Sequence, residues 1–163
     1  MWPTIGWVVL AVFAQTVLAP YLQYRGTVPS LVTIAIVLYA LRVGARRAAI
    51  VGIIAGAIED ALGGTGGAWT IATTLIALGA GTVARGFFSD GFPILGALIA
   101  LTVLVRDAIF WFVMSLQGYP PGLGTAHFHT AVVQAVITGV IAILYLVARS
   151  RFITDRTDVE RYP

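Results

Sequence analysis

Apolar residues run along this chain in long stretches broken by Gly, Pro and Arg, and the stretches set the predicted elements. They predict six helices: Ile5–Gln23, Pro29–Arg42, Ala45–Leu62, Ala68–Phe88, Phe92–Gln117 and His127–Arg149. The second is short, about 14 residues or roughly 21 Å, and would need a thinned bilayer or an irregular end to span it. Gly63-Gly64-Thr65-Gly66-Gly67 predicts a tight, flexible connection. The expected architecture is an all-α integral membrane protein, a six-transmembrane-helix bundle over residues 1–149. A short cytoplasmic tail, 150–163, follows as a solvated and largely disordered end, with partner binding as the alternative.

Beyond its opening Arg46-Arg47, the third stretch is polar in one place only. From Ala48 to Leu62 it is apolar or glycine except for Glu59 and Asp60. Two carboxylates at membrane depth cost roughly 2.5–3.5 kcal/mol each on insertion scales, so they require partners or a role. At 100° per residue, Ala48, Ala49, Gly52, Ala55, Gly56, Glu59 and Asp60 share one arc. Ile50, Val51, Ile53, Ile54, Ile58 and Leu62 fall opposite and suit lipid. Gly52 and Gly56 thus mark a close-packing face, read as internal because it leads to acids that need shelter. The partner-facing surface is then bulky and apolar, on helix one or helix two.

Composition agrees with the membrane reading: 59% of the 163 residues are hydrophobic and 10% charged. There is no cysteine, hence no disulfide framework and no thiolate chemistry. All ten basic residues are arginines, and they collect at helix ends rather than on a soluble face, which excludes a nucleic-acid footprint. With six spans, Arg42, Arg46, Arg47, Arg85, Arg149, Arg151, Arg156 and Arg161 share one side, Arg25 lies on the other and Arg106 lies within the membrane. The positive-inside rule then places both termini in the cytoplasm. Trp2 to Leu22 lacks a basic leader, and Pro20 follows Ala19, the one small residue suited to cleavage. That segment reads as a retained first span.

Helix five carries Arg106-Asp107 before Phe110-Trp111-Phe112. Glu59 lies about 12 residues beyond Arg47 and Arg106 about 13 beyond Pro93, so both sit roughly 18–20 Å across the bilayer. Arg106 can therefore pair with Glu59 or Asp60, or reach Asp107 through water. Three uses remain open for these charges: a buried pair that fixes helix register, a charged surface offered to a partner helix, and a transport or catalytic site. On helix six, His127, Thr130, Gln134, Thr138 and Tyr145 form a polar stripe expected to turn inward. His127-Phe128-His129 is a poor metal pair, since rings two residues apart on a helix diverge. Thr70, Thr74, Ala77 and Gly81 form a seam on helix four, and Gly118-Tyr119-Pro120-Pro121-Gly122 is expected to cap the bundle. No metalloprotease, phosphate-loop or nucleophile-base motif occurs, and no cofactor is expected.

The stretch from Val28 to Thr70 resembles the core of the rod shape-determining protein MreD family. It reads Pro29-Ser30-Leu31, then Leu38-Tyr39-Ala40-Leu41-Arg42-Val43-Gly44, then Gly52, Gly56 and Asp60, then Gly63-Gly64-Thr65-Gly66. The family pattern often has Pro-Asp-Leu where this chain has Ser30, and Glu59 is a charge the pattern lacks. No acid at position 30 is therefore expected to act here. The resemblance implies a non-enzymatic scaffold subunit of the bacterial cell-elongation machinery in the cytoplasmic membrane. Its implied partner is the bitopic MreC, with MreB, RodA and a class B penicillin-binding protein in the larger complex. The implied fold is similar to the substrate-binding components of energy-coupling-factor vitamin transporters, which supply the alternative function. Those components usually dock through alanines four apart on the first helix. Here Ala11, Ala14 and Ala19 offer no such pair.

Overall fold

Ser30 begins one helix and Gly44 ends it. The Ser30 hydroxyl accepts from the Thr33 amide at 3.4 Å, and Gly44, at φ +81°, returns its amide to the Ala40 carbonyl at 2.9 Å. A computed structural model describes residues 2–18, 21, 23, 24, 26–83 and 91–159. Among these are six α-helices and no strand: α1 (Trp2–Leu18), α2 (Leu31–Val43), α3 (Ala45–Gly63), α4 (Ala68–Val83), α5 (Gly91–Leu116) and α6 (Gly124–Val159). A 3₁₀ turn, Pro121–Leu123, leads into α6. Arg25, Arg85, Arg161 and the expected helix end at Phe88 lie outside the described residues, as do the side chains of 152–159.

Among the described residues, two helices are long and apolar enough to cross a membrane: α5, at 26 residues, and the 28-residue stretch Gly124–Arg151 of α6. The apolar helices α2 and α4 are shorter, 13 and 16 residues. α6 does not stop at Arg149 as expected but continues as helix to Val159. No Gly or Pro occurs from Val140 to Tyr162, so nothing local breaks it.

The short α2 is the central helix. It touches all five others, and Val32, Ile36, Val37 and Ala40 are fully buried. Of the two helices expected to offer a partner surface, α2 is therefore enclosed. α1 instead keeps Leu10, Phe13 and Val17 more than half exposed, at spacings of one helical stripe.

α3 packs most closely on α4. A Cβ built on Gly52 would lie 2.9 Å from the Thr73 carbonyl oxygen, and one on Gly56 would lie 2.5 Å from the Thr70 Cα. Both glycines therefore face α4 directly, along the seam that contains Thr70, Thr74 and Ala77. The opposite side of α3 is not uniformly outward. Ile50, Ile53, Ile54 and Leu62 are exposed, but Val51 is buried and Ile58 packs on the core, because α1 and α2 also lie against α3. A second glycine seam joins α5 to α6, where Gly96 and Gly139 face each other's backbone.

Candidate functional site

Arg106 emerges from α5 at 3% exposure into a nest of hydroxyls contributed by its neighbours. Its Nε donates to Thr73 Oγ1 of α4 at 3.1 Å. Nη1 donates to Ser30 Oγ at 3.0 Å and to Thr33 Oγ1 of α2 at 3.1 Å. Nη2 forms an ion pair with Glu59 Oε2 of α3. Four hydrogen bonds thus answer five guanidinium donors. The planar group also lies over the Trp69 ring, 4.4 Å from its centroid, which suits a weakly hydrated cation. One side chain thereby ties together α2, α3, α4 and α5.

The cluster extends to α6 through Ser30, whose amide donates to Thr138 Oγ1 at 2.9 Å. Gln134 Nε2 donates to the Val28 carbonyl at 2.7 Å. The α6 stripe is thus split. Gln134 and Thr138 turn inward and anchor the segment before α2, whereas Thr130 bonds back to its own helix and Tyr145 is half exposed.

Asp60 takes no part in the arginine cluster. Its carboxylate accepts from the Trp69 amide at 3.0 Å, the Thr70 amide at 2.8 Å, the Thr70 hydroxyl at 2.5 Å and the Thr65 hydroxyl. Trp69 and Thr70 are the second and third residues of α4, so Asp60 caps that helix from across the loop. The glycine loop is accordingly tied down rather than loose. Gly64 adopts φ +65° and donates to the Asp60 carbonyl at 2.8 Å, and Gln117 Nε2 donates to the Gly66 carbonyl at 3.2 Å.

Asp107 is equally buried, at 3% exposure. Among the described residues its carboxylate makes no hydrogen bond, nor does the buried His127 Nε2. Around them the rings are stacked: Trp69 on Phe110 at 3.9 Å and Trp111 on His127 at 5.3 Å. Tyr119 of the proline loop meets Trp111 edge-on at 6.1 Å. His129 is exposed and separate from His127.

The structure therefore brings Glu59 to Arg106, sets Asp107 beside them, and leaves Asp60, Gln134, Gly52 and Gly56 in packing or capping positions. The sequence pattern does not mark Ser30, Thr33, Thr73 or Trp69 as partners of Arg106. Ser30 and Thr33 carry a local signal only, because a hydroxyl residue opening an apolar helix marks its N-cap. No family model matches this chain, and neither does a curated protein or a solved structure.

Proposed function

We propose that all six helices lie in the bacterial cytoplasmic membrane, with both termini inside, and that the bundle works by contact. It would be a non-enzymatic scaffold subunit of the cell-elongation machinery, of the MreD type, engaging a bitopic partner such as MreC. The observation that carries this reading is where the chain departs from the family pattern. Ser30 stands where the pattern often has Asp, and Glu59 is the added acid. Both positions contact the same Arg106 guanidinium. An acid at either site would answer that cation, so the two departures compensate.

The use of the charges also supports a scaffold. Arg106 and Glu59 are spent on each other and on interhelical hydroxyls, which fixes the register of four helices. The exposed α1 stripe of Leu10, Phe13 and Val17 is the face offered to a partner's single helix. Affinity purification in mild detergent tests the proposal: recovery of MreC and its neighbours is the expected result. The stacked rings around His127 and Asp107 favour, as a second reading, a vitamin-binding transporter component. Recovery of ATPase and coupling subunits, or calorimetric binding of thiamine or riboflavin, would establish that reading instead.

A further inference from the structure

A groove of about 600 Å³ opens between α1, α2 and α6. Its walls are apolar, with Leu10 and Ala14 from α1, Ile34 and Leu38 from α2, and Ile141 from α6. Its polar residues are Tyr39, Arg42, Tyr145 and Arg149. The register of the helices puts the two arginines at one level. The Ser30–Thr138 hydrogen bond pins the start of α2 to α6, and the Gln134–Val28 bond just before it on both segments sets the two helices running the same way. Arg42 lies 12 residues on from Ser30 and Arg149 lies 11 on from Thr138, about 18 and 16 Å along their axes. Ile34-Leu38-Arg42 and Ile141-Tyr145-Arg149 repeat every four residues, so each arginine crowns a stripe that lines the groove. Among the described residues neither arginine has an ion-pair partner.

We infer that this groove binds one anionic phospholipid of the cytoplasmic leaflet. The apolar length from Leu31 to Arg42 is about 16 Å, close to half of a hydrocarbon core of roughly 30 Å. One acyl chain therefore lies along Leu38 and Ile141, and the phosphate meets Arg42 and Arg149 at the interface. The two tyrosines sit at the same end, where their hydroxyls can reach headgroup oxygens. A transmembrane helix is a poorer occupant, because cytoplasmic flanks of such helices are usually basic and two unpaired arginines would repel them. The inference rests on the bundle lying in a membrane, not on the scaffold role.

Native mass spectrometry of the full chain, offered equal phosphatidylglycerol and phosphatidylcholine, tests it. One phosphatidylglycerol should stay bound in clear excess over phosphatidylcholine. Arg42→Gln with Arg149→Gln should reduce that selectivity about thirty-fold, the effect of two interfacial arginines. Leu38→Trp, which fills the groove and keeps both charges, should expel the lipid, while Arg46→Gln with Arg47→Gln should leave it in place. Equal retention of both lipids, or selectivity that survives the loss of Arg42 and Arg149, overturns the site. So does selectivity lost equally with Arg46 and Arg47. Release of the chain from membranes by carbonate would instead overturn the membrane placement on which the site depends.

Discussion

Glu59 and Asp60 are neighbours in the chain, yet their carboxylates serve different helices. Glu59 Oε2 meets Arg106 of α5, while Asp60 caps α4 through the Trp69 and Thr70 amides. Adjacent residues on a helix point about 100° apart, and that angle is what separates the two roles.

Asp60→Ala should cost about 1–2 kcal/mol, the upper range for a lost N-cap, because two amides and two hydroxyls lose their acceptor together. Asp60→Asn keeps an acceptor and should recover much of that loss. Hydrogen exchange in detergent micelles locates the effect: the Trp69 and Thr70 amides should lose protection in the alanine variant while those of α2 do not. Uniform loss across the bundle would refute a local cap.

Arg106→Met alone should destabilise by about 3–5 kcal/mol, because it strands Glu59 in the interior without its cation. Combining Arg106→Met with Glu59→Leu should restore much of the stability. By contrast, Asp107→Asn should cost less than Glu59→Gln, since Asp107 gives up no hydrogen bond among the described residues. Thermal unfolding of Arg106→Met, Glu59→Leu and their double variant measures the coupling directly, and additive single effects would remove the pair from the account.

Transferring the acid tests the compensation between positions 30 and 59. Ser30→Asp should rescue Glu59→Gln, because Ser30 Oγ already lies 3.0 Å from Arg106 Nη1. In the parent background the same Ser30→Asp change adds a second buried acid to one arginine and should destabilise. A double variant no better than Glu59→Gln would break the link to the family pattern.

That site was legible in the sequence as far as axial depth could carry it. Counting residues from Arg47 and Pro93 puts Glu59 and Arg106 at one level, and the small-residue arc puts both acids toward a neighbouring helix. Which acid meets the arginine depends on where α4 returns, and three positive-φ glycines at 64, 66 and 67 decide that path. The hydroxyl of Ser30 lies 76 residues from Arg106, and a local pattern contains no trace of such a contact. The enclosure of α2 was hidden for a similar reason. Its shortness carries no sign of that burial, which comes from contact with the five other helices.

Gly56→Ala should destabilise more than Gly52→Ala. At position 56 the new methyl would sit 2.5 Å from the Thr70 Cα and 2.7 Å from the Trp69 carbonyl oxygen, so α3 and the capped end of α4 must part. At position 52 the nearest atom is 2.9 Å away. Overpacking of this kind costs about 1–3 kcal/mol. Gly79→Ala meets nothing within 4 Å and should leave the melting temperature unchanged or raised. A Gly79 variant as damaged as the Gly56 one would mean that glycine flexibility, not the α3–α4 approach, is what matters.

The contact role is tested on α1, where Leu10, Phe13 and Val17 are 55%, 58% and 63% exposed. Their spacing of three and then four residues makes one stripe, of the kind a single partner helix covers. Little packing inside the bundle depends on them, so Phe13→Ala with Val17→Ala should leave the unfolding temperature within a few degrees of the parent. Association with the proposed bitopic partner, read by co-purification, should fall sharply, and under the proposed scaffold role a rod-shaped host relying on the variant should round up. The corresponding change on α3, Ile50→Ala with Ile53→Ala, removes similar exposed apolar surface and should leave the partner bound. Equal loss from both faces would point to general bilayer mismatch. Loss from α3 alone would move the docking face there and leave the α1 stripe to lipid.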